Sequence, residues 1–401
     1  MFAYIAAGAL MDPAFRGWFS PDFLAAWMRV GHAMRITGAY YVDADAVSQD
    51  KLAVRTLENI PSGLDPYSEY FATEAYDEFQ QQTSQTFVGI GVSLQIVDGL
   101  PAILRVHPGS AAAAGGLQPG DRLLKAGGVS LAGLNIEAVI THVRGAAGTK
   151  VELELWRRSA KAPFTQEVER RKSIMPTVSE KRMLDDDTGY LRITQFGSRT
   201  AGEIQDALNA LTGTGAKRLV LDLRNNPGGL ISAAVDTVAL FCPKDTVVTT
   251  SRGRQRADNH VYRTSKAPCA LNLPLAVLVN RDSASASEIV SGALQDLKRA
   301  LIIGESTHGK GVVQTVYHLG NNDGLKITTA RYLLPSGRSI QGVGVQPDIY
   351  QPMERQTRIL LNLADIWRDM GWADEFALRY GHPPPEDTQL AAARDALSAF
   401  N

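Results

Sequence analysis

The chain has 401 residues, 44% of them hydrophobic and 21% charged, which is too apolar for a disordered polypeptide and long enough for two or three separate cores. Lys+Arg 41 against Asp+Glu 42 leaves a net charge of −1, so no basic excess points to nucleic acid and no acidic tail stands out. Two cysteines, Cys242 and Cys269, exclude a disulfide-dense scaffold and a four-cysteine zinc site, and leave open whether they pair.

The first residues, MFAYIAAGALMDPAF, are apolar and look like the core of an export signal without its basic flank. No run of about 18 apolar residues follows, so no membrane span is expected. Residues 1–82 read as a helical region, with a helical stripe over Gln49–Ile60 (Leu52, Leu57, Ile60) that stops at Pro61-Ser62-Gly63. Leu64-Asp65-Pro66-Tyr67-Ser68 reads as a turn. Residues 83–172 change character, with β-type runs at Gly89–Ile96, Ala102–Val106 and Lys150–Trp156 between glycine-rich turns, and one helix, Asn135–Val143, with Asn135 as its N-cap.

Residues 173–352 alternate strand and helix, the pattern of an α/β domain. Strands are expected at Arg218–Leu223, Leu275–Asn280, Ala300–Ile303, Val312–His318 and Leu325–Leu333, and helices at Ile231–Phe241 and from the Ser-Ala-Ser-Ala-Ser run through Lys298. Asn321-Asn322-Asp323-Gly324 is a turn signal between the last two strands. Residues 353–401 read as helical, broken at Pro383-Pro384-Pro385.

Chemistry concentrates where buried-type strands end. After Leu275–Asn280 come Ser283-Ala284-Ser285-Ala286-Ser287-Glu288, small residues at the start of a helix. A helix N-terminus offers unpaired N–H groups and a positive dipole end, which is what a developing oxyanion needs beside an attacking serine. The plain alternative is that these serines only cap the helix. A serine also needs a base. Thr307-His308-Gly309-Lys310-Gly311 supplies a lysine between glycines, a tight turn and not a solvated helical face. Serine–lysine pairs are a known variant of the serine–histidine–aspartate arrangement, and burial favours the neutral amine that such a base requires. Gln314 could orient that amine. In a straight strand the step from Lys310 to Gln314 spans about 13 Å, so this needs a bend near Gly311. Asn226-Pro227-Gly228-Gly229 sits at another strand-to-helix junction. Gly228 or Gly229 is expected to be a second oxyanion donor beside the N–H of Ala286.

Competing readings are weaker. Gly304 to Lys310 fits G-x-x-x-x-G-K, but Gly311 stands where a phosphate loop needs serine or threonine, and a strand pattern follows instead of a helix. No G-x-S-x-G elbow occurs. The seven histidines show no metal-ligand spacing, and a Ser285–His308 pair lacks an acidic partner.

Phe87-Val88-Gly89-Ile90-Gly91-Val92 opens the β-rich segment, and its amides and following strand edge suit capture of a peptide carboxyl terminus. With Gly109-Ser110-Ala111-Ala112, Gly116 to Asp121 and Gly127-Gly128-Val129, the segment resembles a circularly permuted PDZ domain of bacterial proteases. Ile90, Gly91 and Val92 would then bind peptide, with Arg144 just past the flanking helix.

Leu64 to Ser68, Asp222 to Gly229, Ser283 to Glu288, Gly304 to Gln314, and Thr328 to Tyr332 followed by Pro335-Ser336-Gly337 complete the pattern. Over roughly residues 40–350 the chain resembles the carboxy-terminal processing peptidases, also called tail-specific proteases. The resemblance implies a multi-domain α/β protein: a crotonase/ClpP-like α/β protease core, an inserted permuted PDZ β-domain, and helical N- and C-terminal segments. It implies Ser285 as nucleophile, Lys310 as base, Gln314 as third member, and Ala286 with Gly228 or Gly229 as oxyanion donors. One departure is His308, at a position that is usually aromatic in the family. No metal or organic cofactor is implied. The implied partners are protein substrates with free C-termini, with room for an adaptor protein and a homo-oligomer, and the implied location is outside the cytoplasm. The amphipathic tail (Ile359, Leu360, Leu363, Ile366, Trp367) fits either oligomer contacts or packing within the monomer.

Overall fold

The computed structural model describes residues 20–83 and 86–399, so the apolar N-terminal stretch lies outside the described residues. The described residues divide into two compact units: those up to Tyr76 with Gln314–Thr328, and those of Asp77–Val313 with Thr329 onward.

In the first unit, helix Pro21–Tyr40 starts at Ser20, whose hydroxyl accepts the Phe23 N–H at 3.2 Å. The second helix, Gln49–Ser62, runs two residues past the expected stop. Leu64 to Ser68 is a turn built on one side chain. Asp65 Oδ1 accepts the N–H groups of Tyr67 (2.8 Å) and Ser68 (2.9 Å), and Oδ2 accepts the Ser68 hydroxyl at 2.9 Å. Burial alone would raise the Asp65 pKa, but these bonds outweigh it and hold the carboxyl below its ordinary value. Strand Glu69–Phe71 then pairs antiparallel with Gly324–Lys326. The turn before that pairing is where sequence placed it, with Asn321 and Asn322 both at positive φ (60° and 61°).

The second unit holds a six-stranded sheet in the order Val178–Met183, Thr188–Ile193, Arg218–Asp222, Leu275–Val279, Leu301–Gly304, Ile349–Tyr350. Its first pair is antiparallel and the rest are parallel. The central strand Leu-Ala-Val-Leu-Val is buried throughout, as expected for a parallel strand covered on both faces. Its alternation still sorts two cores. Val277 and Val279 face helices Thr200–Gly213, Ile231–Ala239 and Ala286–Asp296, while Ala276 and Leu278 face the C-terminal helix Thr388–Ser398 through Ala393 and Leu397. Helix Thr200–Gly213 and strand Thr188–Ile193 were not singled out by sequence. Cys242 is buried and Cys269 exposed, and both thiols are free.

The β-rich segment forms an antiparallel sheet in the order Val92–Val97, Leu100–Val106, Arg122–Ala126, Lys150–Trp156, Phe164–Glu169, closed by helix Ile136–Val143 over its own core. Asn135 caps that helix, accepting the Ala138 N–H at 2.9 Å. The strands that enter and leave the segment, Thr86–Gly89 and Arg171–Ile174, pair with each other. Helices Arg355–Asp369 and Ala373–Tyr380 pack against this sheet, with Trp367, Met370 and Phe376 burying Val97 and Ala102. Arg379 pairs with Asp98 at 2.9 Å, and that bond is the main reason the Asp98 carboxyl sits below its usual range. Leu360, Leu363, Ile366 and Trp367 of the tail therefore pack within the chain, while Ile359 is exposed.

Candidate active site

Three neighbouring parallel strands each release a chemically suggestive loop at their carboxyl ends: Arg218–Asp222 leads to Asn225–Gly229, Leu275–Val279 to Asn280–Ser285, and Leu301–Gly304 to Thr307–Lys310. Loops at the carboxyl ends of adjacent parallel strands necessarily converge, which is why α/β sheets place ligands there. Segments up to about 90 residues apart in sequence thus meet by topology alone.

The first two loops are laced together. Asn225 N–H donates to Asn280 Oδ1 (2.9 Å) and Asn280 Nδ2 returns a bond to Asn225 Oδ1 (2.7 Å). The Ser283 hydroxyl donates to Leu223 O (2.8 Å), and the Ser287 hydroxyl to Asn226 O (2.9 Å). Both of these serines are fully buried, whereas Ser285 between them is partly exposed. The three serines, of which only the family resemblance singled out Ser285, therefore separate into two staples and one candidate nucleophile. Ser285 itself sits at φ 56°, ψ −115° at the N-terminus of helix Ala286–Asp296. That is a strained backbone for a residue with a Cβ, costing on the order of 1–3 kcal/mol.

At the carboxyl end of strand Arg218–Asp222 lies Asp222, fully buried, whose Oδ1 accepts Arg224 N–H (2.9 Å) and whose Oδ2 accepts the Tyr190 hydroxyl (2.7 Å). Burial would raise this carboxyl's pKa, but the Arg224 guanidinium overrides it and holds the pKa below the ordinary value. The pair fixes the start of the Asn226–Gly229 loop.

Glu288 joins the second and third loops. Its Oε2 accepts the N–H groups of Ser285 (2.8 Å) and Lys310 (2.9 Å), while Oε1 accepts Gly309 N–H (2.7 Å) and the Thr307 hydroxyl (2.5 Å). Glu288 is fully buried, so four donors and two acceptor oxygens match inside the protein. On the carbonyl side, the Tyr332 hydroxyl lies between Ser285 O (3.2 Å) and Lys310 O, one proton shared by two acceptors. Backbones of residues 285 and 310 are thus held by the same two side chains. Nothing in the sequence flagged Glu288 or Tyr332 for this. The signal available was a glutamate three residues after a helix-capping serine.

Gly228 lies against this assembly. A Cβ there would fall 2.6 Å from Ala284 O, 2.7 Å from Ser285 Cβ and 2.8 Å from Ala286 N, at a φ of 102°. Its N–H donates to Asn226 Oδ1 at 2.9 Å, so of the two expected glycine donors Gly228 is occupied. The N–H groups of Gly229 and Ala286 have no hydrogen-bond partner among the described residues. His308 is exposed, and its N–H donates to Ser283 O.

Gln314 belongs to the first unit, where its Nε2 donates to Thr328 Oγ1 at 3.3 Å. Thr328 N–H in turn donates to the Ser68 hydroxyl oxygen at 3.1 Å. The Asp65–Ser68 turn, noticed in the sequence without a task, therefore supports the strand beside Gln314.

In the β-rich segment, Ile90, Gly91, Val92 and Arg144 line one cavity of about 270 Å³ between strand Val92–Val97 and helix Ile136–Val143. Gly91 is required there: at φ 81° a Cβ would meet Ser110 Cβ at 2.3 Å. Arg144 stacks its guanidinium 5.7 Å from the centre of the Phe87 ring.

Comparison with known proteins agrees with this architecture. Residues 187–351 match the model of peptidase family S41, and residues 103–157 match a PDZ domain. The chain is 36% identical over 303 residues to a carboxy-terminal-processing protease of Bartonella bacilliformis, covering 75% of this chain and 69% of the relative. It is 34% identical over 352 residues to a carboxyl-terminal-processing protease of a Synechocystis strain, covering 85% and 76% respectively. A crystal structure of a candidate S41 protease from Bacteroides fragilis superposes with a TM-score of 0.53 at 15% identity, over 87% of this chain and 96% of that one, a likeness of fold. The chain belongs to the carboxy-terminal-processing proteases, serine proteases of peptidase family S41 that carry a PDZ domain.

Proposed function

We propose that the chain is an endopeptidase that captures the free C-terminus of protein substrates in its PDZ domain and cuts them at a Ser285–Lys310 site, with Gln314 as the third member. The observation that supports this most directly is the single Glu288 oxygen that accepts the N–H groups of both Ser285 and Lys310. In the proposed reaction Ser285 Oγ attacks a substrate carbonyl carbon while neutral Lys310 takes the hydroxyl proton. The N–H groups of Ala286 and Gly229 receive the developing oxyanion. Lys310 then gives its proton to the leaving amine, and the acyl bond to Ser285 forms as the peptide C–N bond breaks. Water deprotonated by Lys310 releases the acyl group and restores the serine. The role of Gln314 as third member rests on the family resemblance alone. A location outside the cytoplasm is part of the proposal and rests on family resemblance; no helix among the described residues is long and apolar enough to cross a membrane.

Capture of the carboxylate predicts that an unfolded substrate with an amidated C-terminus is cut at least about tenfold more slowly at sub-saturating concentration, since a charge-assisted set of bonds is lost. Equal rates on free and amidated substrates, measured by mass spectrometry of the products, refute capture without touching the serine–lysine assignment. Gly228→Ala tests the oxyanion wall. The intruding methyl displaces Ala286 N or Ser285, and kcat is expected to fall about 100-fold, the scale of losing one oxyanion donor. Unchanged kcat with a folded protein removes Gly228 from the site.

A further inference from the structure

An extended peptide that adds to a sheet edge points its side chains alternately to the two faces of that sheet. On strand Val92–Val97 the faces are already sorted: Val92, Leu94 and Ile96 pack toward the domain core and the helix Ile136–Val143, while Ser93 stands on the other face. A peptide whose last side chain enters the apolar cavity beside Leu94, Ile140 and Val143 therefore turns its penultimate side chain toward Ser93.

That opposite face is polar and rich in donors. The His107 ring Nε2 lies 3.2 Å from the Ser93 hydroxyl, and the His107 N–H anchors the carboxylate-side loop by donating to Gly91 O at 3.0 Å. Arg105 is the register partner of Ser93 and forms an ion pair with Asp369 of the adjoining helix. Burial, then Arg105, lowers the His107 pKa. Ser93 and His107, with Phe87 and Met175, line both the PDZ cavity and a second cleft of about 540 Å³. This cleft runs on past Thr177 and Val178 to Gln195. Phe196, the next residue, pairs with Gly229 of the candidate oxyanion loop. The Ser93–His107 pair thus stands at the junction between the groove and the approach to the active site.

We propose that Ser93 and His107 form a second specificity subsite that reads the penultimate residue of the substrate and favours a carboxylate side chain there. This rests on capture of the substrate C-terminus along strand Val92–Val97. A carboxylate brings only acceptors, which suits the one donor that the mutually bonded Ser93–His107 pair leaves free and the donors of Arg105 not taken by Asp369. A penultimate lysine brings only donors and a like charge beside Arg105.

The test uses the full chain with Ser285→Ala, so that peptides are bound and not cut, and fluorescence anisotropy of labelled peptides ending in an apolar residue. The peptides are identical except for Glu, Gln or Lys at the penultimate position, each with a free or amidated terminus. The expected result is that Glu binds about fivefold tighter than Gln and tighter still than Lys, the scale of one partly exposed charge-assisted bond. Adding His107→Ala, or Ser93→Ala, abolishes that ranking while the preference for a free terminus persists. A Glu/Gln ratio of one in the parent, or a ratio unchanged by both substitutions, overturns the subsite and leaves carboxylate capture standing. Equal affinity for free and amidated peptides overturns capture, and the subsite with it.

Discussion

Exchanging Ser285 for alanine is expected to reduce cleavage of an unfolded substrate by a factor on the order of 10⁴ or more, the usual consequence of deleting a nucleophile from a site whose members act as one unit. Lys310→Ala should fall to the same residual rate, and the double variant no further, because each alone already disables proton transfer. The backbone at 285 adds a second readout. With φ 56° and ψ −115° the residue is strained in any side-chain-bearing form. Ser285→Gly should therefore unfold at a higher temperature than Ser285→Ala, by about 1 kcal/mol at the midpoint, even though glycine ordinarily destabilises a chain relative to alanine. Both variants should be inactive. Wild-type turnover in Ser285→Ala would move the nucleophile elsewhere. Alanine proving the more stable of the two would show that the strain is not present in solution.

The second large effect concerns Glu288. Replacing it with alanine strands four donors inside the protein, the N–H groups of Ser285, Gly309 and Lys310 and the Thr307 hydroxyl. Each unsatisfied buried polar group costs about 1–3 kcal/mol, with incomplete additivity, so a loss of about 4 kcal/mol is expected in denaturant unfolding. Such a variant reports stability more than chemistry. Glu288→Gln separates them. It keeps the volume but turns an NH₂ donor toward two N–H or hydroxyl donors, so half the clasp repels. The expected outcome is a smaller stability loss with kcat down by about 100-fold and KM nearly unchanged, since the substrate does not touch Glu288 and a misplacement of 1 Å between reacting groups is enough for that penalty. Full kcat in a folded Glu288→Gln protein would show that the serine and lysine are kept in register by something else.

Much of this was legible in local patterns. The small-residue run at 283–287, the Gly-Lys-Gly turn and Pro227-Gly228-Gly229 each lie at a strand end, where a parallel sheet gathers its loops. What local patterns could not do was distinguish Ser283, Ser285 and Ser287. Their separation depends on carbonyls of Leu223 and Asn226, 60 and 61 residues away, that accept the two flanking hydroxyls. Gly228 and Gly229 were likewise interchangeable until Asn226 claimed one N–H. The Asp65–Ser68 turn was visible as a turn, but its link to Gln314 passes through Thr328 on a strand some 260 residues downstream. The amphipathic tail offered two equal readings, and the partner of its apolar stripe became known only when Val97 and Ala102 were placed under Trp367.

The sequence by itself determined the family, the class of most elements and the residues proposed for proton transfer, because periodicity, capping and turn chemistry act over a few neighbouring residues. Which hydroxyl stays accessible, which amide stays unclaimed and which acid keeps serine and lysine in register were decided only by the tertiary structure. Those outcomes depend on hydrogen bonds between loops that a parallel sheet gathers at one edge, and no short stretch of chain contains both ends of such a bond.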